Sequence, residues 1–314
     1  MKLPIKSLTV IIALLTVGIG LKAQQTTTKK ASSASSADSL MKAMDGDQKA
    51  VDVVISKSTR YVLSQTTETI KQGNLNFQVI HRFGDFAGTN GGPQTDFGID
   101  RINDVYIGFE YGITDNLTVD FGRSTIGEML QWELKYALLH QKSEDSSPIA
   151  ITALGQYAIR PYQSFTTYSS RVSYLGQVIF ARKFSNDFNL QVSPTYVSNN
   201  TPYPNVPGSE PSFFALQAAA RVAINKHMGF ILDYAHPFST FRSNNVNFQD
   251  PIGLGYEVET GGHVFTLNLT NANAVNEINY LSNTQNQISK GQFRMGFTIS
   301  RMFDLKPKPK TMPM

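Results

Sequence analysis

From Gly73 onward, apolar residues recur at every second position in one short run after another. A period of two places them on one face of an extended strand and sends the intervening polar residues to the other. Leu75, Phe77 and Val79 form the first row, and Val105, Ile107, Phe109 and Tyr111 the second. Leu117, Val119 and Phe121 follow, then Trp132, Leu134, Tyr136 and Leu138. Four more rows run from Ile149, Val172, Leu190 and Phe214, and the last four begin near Met228, Leu254, His263 and Phe293. The total is twelve, an even number.

The connections between rows fall into two alternating classes. ITDNL (113–117), FSNDF (184–188) and INKHM (224–228) each hold three polar residues between two apolar ones. Three-residue hairpin loops keep flanking residues on one face. They set Tyr111 opposite Val119, Phe109 opposite Phe121, Phe180 opposite Val192 and Val222 opposite Phe230. The other class is long: 84–103, 161–170, 199–211, 237–252 and 271–290. Its exception is Gly127-Glu128, which as a two-residue corner pairs Arg123 with Trp132 on the outer face. There Arg123 either lies over the indole or snorkels towards lipid phosphates.

A soluble β-sandwich would bury the same rows but has no need of this turn asymmetry. The pattern predicts an all-β, antiparallel, up-and-down transmembrane β-barrel of about 12 strands, with short periplasmic turns, long extracellular loops and both ends periplasmic. Composition agrees. Hydrophobic residues make up 41% and mean hydropathy is −0.21, yet there are 20 Phe and 13 Tyr. A polar average with many aromatics is expected when only half of each strand faces lipid.

The flanks divide the rest of the chain. Lys2 and Lys6, an apolar run from Leu8 to Leu21, and Lys22-Ala23 predict a signal peptide over 1–23, cleaved near Ala23 after Sec-type export to the cell outer membrane. Residues 24–50 read as a Ser/Thr/Ala-rich linker with room for a short helix. Residues 51–72 are extended and fit an extra strand, a periplasmic arm or a plug. The barrel occupies 73–303, and 304–314 form a Pro/Lys tail that cannot continue a sheet. FRMGFTISRMF (293–303) looks like the final-strand signal by which such barrels engage the barrel-assembly machinery. Outer-membrane lipids are the other expected partner, and the solute stays undefined.

Inverting the strand parity gives the lumen. Arg82, Lys135, Arg160, Lys183, Arg221 and Arg294 point inward, against Glu110, Asp120, Glu133, Asp233, Glu257 and Glu259. Six of each sign leave no strong ion preference. This suits either a passive channel or transporter for small solutes or a structural or assembly barrel closed by internal salt bridges.

Other chemistry finds little support. The absence of cysteine excludes disulfides, thiolate metal sites, thiol nucleophiles and a lipidated N-terminal cysteine. A net charge of +4, much of it near the ends, does not argue for nucleic acid. The five histidines, His81, His140, His227, His236 and His263, accompany no GxSxG elbow, which leaves a lipid-acting enzyme as a remote alternative and names no catalytic residue. Asp85, Asp96, Asp100 and Asp104 share a glycine-rich loop, but not with EF-hand spacing. No metal or cofactor is expected.

GGHVFTLNLTN (261–271) sets a histidine near Glu257 and Glu259. A primed turn at Gly261-Gly262 pairs Thr260 with His263 and Val258 with Phe265, which sends His263 outward and away from both glutamates. Together with KSTR (57–60), HRFGD (81–85), FGID (97–100) and YGIT (111–114), this stretch resembles an uncharacterised family of outer-membrane β-barrel proteins of Gram-negative bacteria, over roughly Val53 to Phe303. The resemblance implies fold and location and brings no catalytic residues.

Overall fold

The computed structural model describes residues 50–144, 146–165, 167–200 and 210–306. The expected signal peptide, nearly all of the 24–50 linker and the tail beyond 306 lie outside the described residues.

Twelve strands form one sheet. They are β1 (Asn74–Asp85), β2 (Ile102–Gly112), β3 (Leu117–Ser124), β4 (Leu130–Leu139), β5 (Ala150–Ile159) and β6 (Val172–Lys183), then β7 (Phe188–Asn199), β8 (Ser212–Ala223), β9 (Met228–Phe238), β10 (Ile252–Thr260), β11 (His263–Thr270) and β12 (Arg294–Asp304). Each pairs antiparallel with the next, and β1 pairs with β12, so the sheet is a closed up-and-down barrel without a free edge. The strand number read from alternation holds. Outward side chains remain exposed and apolar, such as Leu134 at 59% and Leu267 at 64%. A band of this kind needs a lipid surround. Phe121, Trp132, Tyr157 and Tyr174 run across four strands as a ladder, with successive ring centroids 5.3, 5.6 and 5.7 Å apart.

The hairpin registers agree with the turn chemistry. Tyr111 faces Val119, Phe180 faces Val192 and Val222 faces Phe230. Thr260 faces His263 and Val258 faces Phe265 across a turn in which Gly261 and Gly262 have φ of 34° and 99°. The β3–β4 corner differs. Arg123 faces Leu130, and Trp132 faces Phe121 instead. The loop holds four residues, because Ser124 N already donates to Met129 O at 2.9 Å. Asp104 widens the corner by accepting Thr125 Oγ1 and Ile126 N at 2.9 and 3.1 Å.

Two stretches of chain occupy the interior. Residues 51–72 are not a thirteenth strand but a finger folded back on itself. It enters at the short-turn rim, where Asp52 bridges Lys142 in the β4–β5 connection and Val53 N donates to Gln141 O at 2.8 Å. It reverses at its tip, where Tyr61 N donates to Ser64 O and Thr66 N to Thr59 O, each at 2.9 Å. It leaves by the same rim, with Gln72 N on Asp115 Oδ1 at 2.9 Å in the β2–β3 turn.

The second stretch, the β11–β12 connection, is long but is not simply an outer loop. Helix α1 (Thr240–Ser243) lies in the β9–β10 connection, and helix α2 (Glu277–Ser282) lies in this one. Ala272, Val275, Ile278, Tyr280 and Leu281 are buried. They fold inward because a solvated loop would leave them wet. Val275 packs with Ile80 of β1 and Tyr106 of β2, and the inner wall of β5–β9 receives the others. Leu154, Leu175, Val197, Phe213 and Ile231 form one apolar cluster with Tyr61, Val62 and Leu63 of the finger and Ile278, Tyr280 and Leu281 of the loop.

Candidate functional site

The finger and the inward loop meet inside the barrel, and the inner wall holds both. On the polar side, Arg82 of β1 donates to Ala272 O at 2.9 Å and to Val62 O at 3.1 Å, so one guanidinium ties the two together. Tyr280 Oη reaches Leu63 O at 3.1 Å, and Gln65 N reaches Glu277 Oε1 at 3.2 Å. Lys135 of β4 donates to Thr59 O at 3.1 Å and to Gln65 Oε1 at 2.9 Å. Glu110 of β2 accepts Thr59 Oγ1 at 2.8 Å and Gln78 Nε2 at 2.9 Å. Glu133 of β4 accepts Gln65 and Gln156 at 3.3 and 3.1 Å.

Asp233 of β9 makes the densest contact with the tip. Its Oδ2 accepts Leu63 N and Ser64 N, both at 2.8 Å, and Ser64 Oγ at 3.0 Å. Asp120 of β3, opposite Glu110 and Glu133 in the register, accepts Tyr106 Oη at 3.2 Å. Arg160, just beyond β5, donates to Asn279 Oδ1 at 2.6 Å. Arg221 and Glu257 form a buried wall-to-wall pair at 2.7 Å, and Arg294 reaches Asp85 at 3.2 Å. The remaining two lie at the short-turn rim. Glu259 pairs with Lys57 of the finger at 2.7 Å, and Lys183 reaches Val54 O at 3.4 Å. Thus most of the twelve charges bind the finger or the inward loop, and Arg221–Glu257 joins two of them to each other.

Several participants are invisible to strand parity. Arg60 of the finger lies over the Tyr106 ring, 5.8 Å from its centroid, and reaches Leu63 O and Val275 O at 3.5 Å. Its sequence mark is the KSTR motif. Tyr61 Oη donates to Asn189 Oδ1 at 2.8 Å. Asp104, from the acidic loop, accepts Ser124 Oγ and Val275 N at 2.8 Å, and therefore anchors the corner and the inward loop. Among the described residues, no group of three or more His, Cys, Asp or Glu side chains could hold a metal ion.

The rims carry their own ties. Asp52 is held below the usual carboxylate range by its hydrogen bond from Lys142, and Asp115 by the Gln72 amide. At the opposite rim Asp250 accepts Tyr234 Oη at 2.5 Å and His236 Nδ1 at 2.8 Å. Burial opposes ionisation of Asp250, but the bonds from His236 and Tyr234 outweigh it and hold the carboxyl low. A cavity of about 600 Å³ opens at the short-turn rim between the finger and β6–β8, with Lys57, Lys183 and Lys226 on its walls.

Among solved structures, the NanC porin is 10% identical, covering 73% of this chain and 98% of its own, with a TM-score of 0.43. The KdgM porin is 7% identical, covering 73% and 99%, with a TM-score of 0.44. At these values neither likeness carries weight for function. A search of curated proteins gives no match. The model of a family described as a membrane bound beta barrel domain (DUF5777) matches residues 57–303, so the finger from Lys57 onward falls within the matched span. A match over most of the chain settles membership, and the protein belongs to this membrane-bound β-barrel family.

Proposed function

We propose that the protein is an outer-membrane channel for small solutes, without catalytic activity, closed in this conformation by the finger and the inward loop. The short-turn rim and both chain ends then face the periplasm, the residues before 24 serve export, and β12 presents the assembly signal. The observation that carries this reading is the hydrogen bonding of the finger to a charged wall through a turn that enters and leaves by one rim. Small barrels are filled by their own wall side chains. Here a separate segment does the filling, and a separate segment can leave. Planar-bilayer recordings of the refolded full chain should show little current, and a variant lacking 24–71 should show discrete openings. A deletion variant that folds and stays silent would remove the channel.

A second reading, a permanently closed structural barrel, draws on the packing of Tyr61, Val62 and Leu63 against the apolar wall of β5–β9. It predicts that the deletion variant fails to form a heat-resistant barrel.

A further inference from the structure

We propose that the space filled by the finger tip is a receptor site for short apolar peptides, which the finger occupies as an intramolecular stand-in; this rests on the channel reading and names its solute class.

The wall reads the main chain of the tip. Asp233 takes the successive amides of Leu63 and Ser64, while Arg82 and Tyr280 donate to the carbonyls of Val62 and Leu63. Gln191 Nε2 donates to Gln65 O at 2.7 Å. An ordinary β-hairpin satisfies these groups by pairing with itself. This one forms a single isolated bridge, Arg60 to Gln65, and leaves other main-chain groups to side chains of the wall and of the inward loop. The bonded atoms belong to any peptide in this conformation, whatever its sequence.

The apolar side chains at the tip meet a notch and an apolar slope. Gly253 and Gly255 of β10 face inward, and a Cβ on either would fall 2.5 or 2.7 Å from the methyls of Val62. Two glycines on one inner face therefore leave room for one small branched side chain. Leu63 and Tyr61 pack in the cluster with Ile231, Phe213 and Leu154. The polar side is not used up by the finger. Asp233 Oδ1 and Gln191 Oε1 are buried with no partner among the described residues, beside Ser64. A ligand with one more donor at that place would fit better than the finger does. The chemistry selected is a peptide with a small branched residue, a larger apolar residue and then a donor-bearing one.

The test uses proteoliposomes of the variant lacking 24–71 and a fluorescent peptide of residues 57–68. The labelled peptide should bind and be displaced by the hexapeptide AAVLSA, which keeps only Val-Leu-Ser of the tip, within tenfold of the concentration needed for unlabelled 57–68. A hexapeptide of alternating Glu and Lys should fail at a hundredfold excess, and Gly253→Ala should weaken both binders at least tenfold. If 57–68 rebinds and AAVLSA never competes, the finger is a stopper only and the proposal falls. Sucrose entry is followed in the same vesicles. Entry without peptide binding overturns the peptide site and leaves the channel, whereas binding without entry removes the channel and this proposal with it. Should the deletion variant fail to fold, the full chain carrying Val62→Asp and Leu63→Asp, which cannot seat its tip on the apolar wall, takes its place in the same displacement assay.

Discussion

Asp233 is the residue on which closure turns. Removing its carboxylate strands two buried amides and a hydroxyl, and each unmet group costs about 1–3 kcal/mol. Asp233→Ala should therefore loosen the finger by roughly a hundredfold or more, read as protease cleavage near 60–65 and as current from the otherwise intact chain. Asp250 makes a different residue-scale prediction, at the opposite rim. Its carboxyl titrates below the ordinary value of about 3.9, with Tyr234, His236 and Arg242 as the groups that face it. A depressed carboxyl contributes stability that is complete above its unfolded value and is lost as pH falls through its folded one. Amide exchange in 239–251 should thus rise below about pH 4 while the barrel strands stay protected, and Asp250→Asn should abolish that step.

Among the elements, the β10–β11 hairpin carries the clearest mark of its turn. Alanine at Gly261 and Gly262 forces φ of 34° and 99° on residues with a Cβ. That substitution should cost about 1 kcal/mol or more per site. A fall in the thermal midpoint of the heat-modifiable barrel, with the register unchanged by cross-strand pairing, is the expected result. The hairpins show why the wall was legible in the sequence. Period-two rows and short turns are local, and they fix Tyr111 opposite Val119 or Val258 opposite Phe265 without knowledge of the rest. Gly127-Glu128 misleads because a distant carboxylate, Asp104, shapes that corner. The contents of the lumen were less legible. Residues 51–72 and 271–290 have no period, and their place depends on an apolar inner wall assembled from five strands. Only the apolar residues of the second stretch, Val275, Ile278, Tyr280 and Leu281, signal that it is too greasy to be a solvated loop.

At the scale of the molecule, electrostatics separates the filled from the emptied barrel. With the finger present, Arg60 sits among Glu133 and Glu277, and Lys57 faces Glu259. Without it, the interior carboxyls that bonded the finger, Glu110, Glu133, Asp233 and Glu277, outnumber the interior cations that did, Arg82 and Lys135, while Arg160 and the pairs Arg221–Glu257 and Arg294–Asp85 are unchanged. The variant lacking 24–71 should therefore prefer cations by a few-fold, measured as a reversal potential in a potassium chloride gradient, and a preference for anions would contradict this placement of charge. The route of the finger has a mechanical consequence as well. Both of its ends leave by one rim, at Asp52 and Gln72, so the chain is looped into the barrel and never threaded through it. Withdrawal requires no free end to pass between the strands and no break in the β1–β12 seam. Tension applied from one side, on the residues before Val51, would part the Asp52–Lys142 tie first and then draw the tip out as a bight of rope leaves a ring, free to slip back when the load is removed.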